Sequence, residues 1–92
     1  MDDRMQKIYL DYNASTPVAL EVVDAMYPLL NDYYGNPSAL HWAGKPVKEL
    51  LHKARKQVSE LISSSLSEII FTSGGSEANN LALKGFYFKN HQ

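Results

Sequence analysis

The chain has no cysteine among its 92 residues. That excludes disulfide bonds, thiolate metal ligands and a cysteine nucleophile from this sequence. Net charge is almost absent too: 9 lysines and arginines stand against 10 acidic residues, giving -1 at pH 7. Such a balance offers no electrostatic handle to nucleic acid or to an anionic membrane. No apolar run approaches membrane-spanning length, and the opening residues Met1 to Lys7 are charged with nothing apolar behind them. The expectation is a cytoplasmic protein without a signal peptide. Glycine and proline are sparse, 5 and 4 residues, so each one marks a position. The apolar content of 45% is that of a globular protein rather than a disordered one. A chain this short makes one small domain at most, burying roughly 60–65% of its unfolded surface.

The most informative stretch runs from Glu68 to Ala82. Ile69, Ile70 and Phe71 form a short β-prone apolar run, closed by Gly74-Gly75. Ser76, Glu77, Ala78, Asn79, Asn80, Leu81 and Ala82 then favour a capped helix. A strand that feeds a helix through glycines leaves unpaired N–H groups at the helix N-terminus. With the helix dipole and a nearby hydroxyl, these make a cup for an anion, most often a phosphate. The pattern is neither a P-loop, since no Lys-Ser or Lys-Thr pair follows the glycines, nor the Gly-x-Gly-x-x-Gly dinucleotide fingerprint. A tight turn that binds nothing is the equally weighted alternative.

The rest of the chain divides without repeats or low-complexity linkers. Lys7–Asp11 is expected to be extended, with Ile8 and Leu10 on one face. Asn13–Pro17 reads as a turn that starts a helix, Thr16 capping it and Pro17 in its first position. That helix is expected from about Val18 to Leu30, with Leu20, Val23, Tyr27 and Leu30 on one face and Pro28 loosening its last turn. An irregular, aromatic-rich loop follows from Asn31 to Gly44. Pro46 suits the first turn of a second helix, in which Val47, Leu50, Leu51, Ala54, Val58, Leu61 and Ile62 form one apolar stripe. Lys48, Glu49, Lys53, Arg55, Lys56 and Glu60 fall largely on the solvated side, and Ser63–Ser65 ends the helix. A third helix is expected from near Ser76 to about Lys89.

This outline contains a conflict. Ile69–Thr72 is apolar like a strand buried on both faces, which needs neighbouring strands. The sequence offers only Ile8–Leu10 as another. Each unpaired buried backbone group costs roughly 1–3 kcal/mol, so the rest of the sheet is expected to lie outside these residues. The reading is a single incomplete domain over 1–92, mostly helical by itself (three helices and one or two short strands) and part of a larger α/β protein.

Three stretches carry a family resemblance: Ile8–Val18, Gly35–Ser38 with His41 and Gly44, and Phe71–Ala82. In this order and spacing they resemble the N-terminal portion of cysteine desulfurases. These are pyridoxal-phosphate (PLP) transferases of the class V aminotransferase type that supply sulfur for iron–sulfur clusters and tRNA thiolation. The resemblance covers about Ile8 to Gly85. It implies the type I PLP-dependent fold, an α/β architecture with a central sheet that would include Ile69–Thr72. It also implies that Gly75 and Ser76 bind the cofactor phosphate through their backbone and the Ser76 hydroxyl. The family more often has Ala-Thr there; serine keeps the hydroxyl. Asn80 could order the same turn or simply lie on the helix surface. Asn13, Ala14 and Ser15 would lie near the mouth of the active site, the alternative being a plain helix cap. The Tyr33–Trp42 loop would lie near the cofactor pocket and the homodimer interface, or fill a small core. His41 is expected to organise that loop, and His52 and His91 to lie on the surface. No metal site is expected.

The resemblance also defines what is missing. The family's Schiff-base lysine follows Ser-x-His, a pattern absent here, and desulfuration needs a cysteine thiolate. This chain alone is therefore expected to be inactive, to bind PLP weakly at most, and to need the remainder of the enzyme. In isolation its unpartnered apolar faces should drive self-association. The alternatives are a free-standing phosphate-binding or protein-interaction module, or part of another class V enzyme such as a selenocysteine lyase or an epimerase.

Overall fold

The computed structural model describes residues 5–91. They form three α-helices, α1 (Leu20–Asn31), α2 (Gly44–Leu61) and α3 (Gly75–Asn90), with one 3-10 turn at Leu66–Glu68. The chain divides between Val47 and Lys48 into two compact units. No described helix is long and apolar enough to cross a membrane.

In the first unit, α1 begins later than the sequence suggests. Ala19 is the N-cap at φ -59 and ψ 143, and its carbonyl accepts the first helical N–H groups from Val22 and Val23, both at 3.0 Å. Thr16 therefore does not cap the helix and Pro17 does not open it. Proline biases the residue before it toward extended backbone, and β-branched Val18 shares that bias, so helix starts only after them. Alanine has no side chain to cap with, and no side-chain bond closes this end. Pro28 stays inside α1, and its carbonyl closes the end by accepting from Asp32 at 2.8 Å and Tyr33 at 2.9 Å.

The loop after α1 is folded on itself by short bonds. The Ser38 amide donates to Asn36 Oδ1 at 2.9 Å and the Ala39 amide to the Asn36 carbonyl at 3.0 Å, a turn built on Asn36-Pro37. Two glycines permit this closure. A Cβ on Gly35 would strike the Ala43 carbonyl, and one on Gly44 would strike the Ala39 carbonyl and lie 2.6 Å from the Asn36 oxygen. The loop aromatics do not fill a core: Trp42 is 84% exposed.

The second unit holds most of α2. Pro46 stands in the helix's first turn, where its missing N–H removes no helical bond. The C-terminus is closed by a Schellman arrangement. The Ser64 amide donates to the Ser59 carbonyl at 2.8 Å and the Ser63 amide to Glu60 at 3.3 Å, with Ser63 at φ 56. Glycine would hold that left-handed position more cheaply, by about 1 kcal/mol. Beyond it, the Ser65 amide and hydroxyl both donate to Glu68 Oε1, at 3.1 and 2.8 Å.

Neither expected strand forms among the described residues. Ile69 has extended dihedrals, φ -100 and ψ 123, but extension becomes a strand only when a neighbour takes its N–H and C=O groups. What steadies Phe71 instead is Arg55, whose guanidinium lies 5.3 Å from the ring centroid. Arg55 is half-buried rather than fully solvated as its helical position suggested.

No apolar side chain is buried among the described residues. The helices thus form from local propensity and pattern, with their apolar faces still open. Two outcomes follow. Light scattering on the purified chain should show concentration-dependent association, and a monodisperse monomer with a sharp thermal transition would contradict the reading of these faces. Gly44→Ala should disrupt the loop: overpacking of this kind costs about 1–3 kcal/mol, so hydrogen exchange of the Ala39 amide should quicken about tenfold or more.

Candidate functional site

The break between Phe71 and α3 concentrates the unspent hydrogen-bonding groups of the second unit. Gly74 is the N-cap, in extended backbone at φ 168 and ψ -176. Its carbonyl accepts the Ala78 N–H at 3.1 Å, the first bond of a 16-residue helix. The amides of Gly75, Ser76 and Glu77 precede that bond and have no helical acceptor. A glycine N-cap has no side chain to supply one.

The side chains around the turn bond elsewhere. The Ser73 amide donates to Glu77 Oε2 at 3.0 Å and its hydroxyl to the same oxygen at 2.5 Å. Thr72 Oγ1 donates to the Gly74 carbonyl at 3.1 Å, and Asn80 Nδ2 to the Ser76 carbonyl at 2.8 Å. Asn80 is exposed, and Asn90 makes the same bond to the Phe86 carbonyl, so this contact serves a helix-surface role as well as the turn. None of these bonds uses the Gly75 or Ser76 amide or the Ser76 hydroxyl. A Cβ on Gly74 or on Gly75 would meet nothing within 4 Å, so the turn is open to solvent on that side.

A phosphate fits this donor set. The Gly75 and Ser76 amides, two of the three free at this end, meet a hydroxyl and the positive end of a helix dipole, about half an elementary charge, at an open turn. The donors match the phosphate end of PLP; a Ser-x-His-Lys context for its aldehyde end is absent from these residues. The first turn also carries the Glu77 carboxylate, held below the usual carboxylate range first by the Ser73 hydroxyl and then by the Ser73 amide. Sequence reasoning missed this Ser73–Glu77 pair. The familiar capping signal places serine three residues before glutamate; with glycine as the N-cap, the partner moves one residue back to a spacing of four.

Asn13, Ala14 and Ser15 belong to the first unit and form an exposed turn rather than a helix start. The Asp11 carbonyl accepts the Ala14 amide at 2.9 Å, and the Tyr9 hydroxyl bonds Ser15 Oγ at 2.8 Å. Asn13 thus projects from a closed turn with its amide group unengaged among the described residues. In the same unit, Asp32, Tyr33, Tyr34, Gly35, Trp42, Ala43 and Pro46 line a cavity of about 210 Å³. His41 holds the adjoining bend, its Nδ1 accepting the Ala43 amide at 3.3 Å. His91 stacks on Tyr87 with ring centroids 4.8 Å apart.

The depressed Glu77 value gives a pH dependence. Because the folded value lies below the unfolded one, the Ser73–Glu77 bond contributes fully above the unfolded value and is lost as pH falls through the folded one. The Ser73 amide resonance should therefore move on acidification with a midpoint below the ordinary carboxyl value; Glu77→Gln should abolish that step.

Residues 8–91 match the aminotransferase class-V family. Cysteine desulfurase IscS from Dictyoglomus turgidum is 45% identical over 83 residues, covering 90% of this chain and 21% of the relative. Selenocysteine lyase from Xenopus tropicalis is 52% identical over 77 residues, covering 84% and 18%. A solved structure described as SspA in complex with cysteine matches with TM-score 0.81 and 43% identity, covering 91% of this chain and 24% of that one. The chain spans about a fifth of the length of the curated relatives it matches. With the match running over nearly all the described residues, the chain belongs to the aminotransferase class-V family.

Proposed function

We propose that this chain is the segment of a PLP-dependent cysteine desulfurase that carries the phosphate end of the cofactor site. The observation that carries the reading is the pair of unspent amides at Gly75 and Ser76, opening α3 beside a free hydroxyl. Gly75 and Ser76 bind and orient the phosphate, and Asn80 fixes the Ser76 peptide from the next turn. When bound, PLP supplies an electron sink for bond cleavage next to the substrate amino group. By the family resemblance, Asn13, Ala14 and Ser15 would lie near the mouth of the active site in the complete enzyme. The lysine that holds the cofactor and the cysteine that accepts sulfur come from the remainder of the enzyme, which works in the cytoplasm as a homodimer. There it would take sulfur from L-cysteine for iron–sulfur cluster assembly or tRNA thiolation, and its complete fold is the type I α/β architecture.

Selenocysteine lyase is the second reading, favoured by the 52% identity to the Xenopus tropicalis enzyme. Chimeras in two hosts separate the two readings, the cysteine desulfurase from Dictyoglomus turgidum and the selenocysteine lyase from Xenopus tropicalis. This chain, replacing its matching stretch in the Dictyoglomus turgidum enzyme, should restore PLP binding and sulfide release from L-cysteine. Activity restored only in the Xenopus tropicalis host, on L-selenocysteine, would favour the second reading. In the Dictyoglomus turgidum chimera Ser76→Ala should raise the PLP dissociation constant about tenfold, the value of one hydrogen bond to a charged group. An unchanged constant would remove Ser76 from the site.

A further inference from the structure

Two consecutive glycines open the phosphate cradle, and they are the least able of all residues to hold its shape. Gly74 is extended and nothing crowds either glycine within 4 Å of where a Cβ would stand. Such a pair loses more conformational freedom on ordering than any other. The aim of the Gly75 and Ser76 amides must therefore be set from outside the glycines. Two side chains of α3 reach back to do so. Asn80 ties the Ser76 carbonyl on the helical side. Glu77 ties Ser73 on the incoming side, through both the amide and the hydroxyl of that residue.

We propose that Glu77 is a positioning residue for the phosphate cradle: its carboxylate holds Ser73 to the first turn of α3 and so sets the direction of the Gly75 and Ser76 amides. The proposal rests on the phosphate role of those amides. It also accounts for an apparent contradiction, a carboxylate placed in the first turn of a helix meant to receive a dianion. A free carboxylate there would compete for the same amide donors. Engaged by both Ser73 donors at one oxygen, Glu77 leaves them to an external anion. The Ser73 bonds thus do two things at once, bracing the turn and occupying its nearest internal competitor.

The test uses the full chain, labelled with nitrogen-15 and titrated separately with inorganic phosphate and with PLP, following the Gly75 and Ser76 amide resonances. In the wild type both probes should move these amides saturably. Glu77→Ala should weaken binding about tenfold while far-ultraviolet circular dichroism keeps its helical content. Glu77→Gln keeps an acceptor for Ser73 and removes the charge, so it should bind at least as tightly as the wild type. Should Glu77→Ala unravel the turn, Ser73→Ala removes one of the two donors and should weaken binding by about threefold. Equal affinity in all variants would overturn the proposal. Tighter binding in both Glu77 variants would overturn it as well, since the carboxylate would then act only by repulsion. Wild-type amides that ignore both probes would instead refute the phosphate reading beneath it.

Discussion

A peptide group must find a partner, and in this chain the partners are near neighbours in sequence. Among the described residues the side-chain hydrogen bonds reach no further than from Tyr9 to Ser15. Asn36 folds its loop onto Ser38 and Ala39, Ser63 and Ser64 close α2, Glu68 turns back to Ser65, and Glu77 turns back to Ser73. Burial contributes little alongside them, since no apolar side chain among the described residues is fully buried. Everything else in the structure depends on this local bonding. It forms the helices, closes the turns and leaves unspent only the groups that a neighbour in sequence cannot reach.

The candidate site is one such remainder. A helix opened by Gly74 and Gly75 has amides without caps, because glycine carries nothing to cap with. The surrounding polar side chains could have satisfied them and do not: Ser73, Thr72, Glu77 and Asn80 are each committed to another atom of the same turn. A turn so braced, and still open, suits an anion that arrives from outside. The exposed Ile70 and Phe71 that lead into it show the other remainder, apolar side chains with no adjoining strand among the described residues. Both remainders lie within residues 8–91, the stretch that matches the aminotransferase class-V family.

Much of this was legible in the sequence where the controlling physics is local. The spacing of Val47, Leu50, Ala54 and Val58 announced α2, and the Gly74-Gly75 pair announced the start of α3. The start of α1 was misread because Thr16-Pro17 has the composition of a helix opening while the backbone stays extended as far as Ala19. Arg55 was placed among solvated charges because a helical pattern shows which side a residue faces, and not which ring lies beside it. The Ser73–Glu77 clamp escaped notice because a glycine N-cap shifts the usual spacing by one residue.

The sequence by itself determined the three helices, the glycine turn and its neighbouring hydroxyl, the absence of a thiol, and the motifs that mark the family. These depend on residues within a few positions of one another, or on composition. Only the tertiary structure decided that Ile8–Leu10 and Ile69–Thr72 form no strand among the described residues, that the loop aromatics stay exposed, and that Glu77 is bound to Ser73 rather than free to compete for an anion. Strand pairing and burial need partners distant in sequence, and the atom a carboxylate chooses depends on where the backbone turns in space. Neither can be read from the order of residues alone.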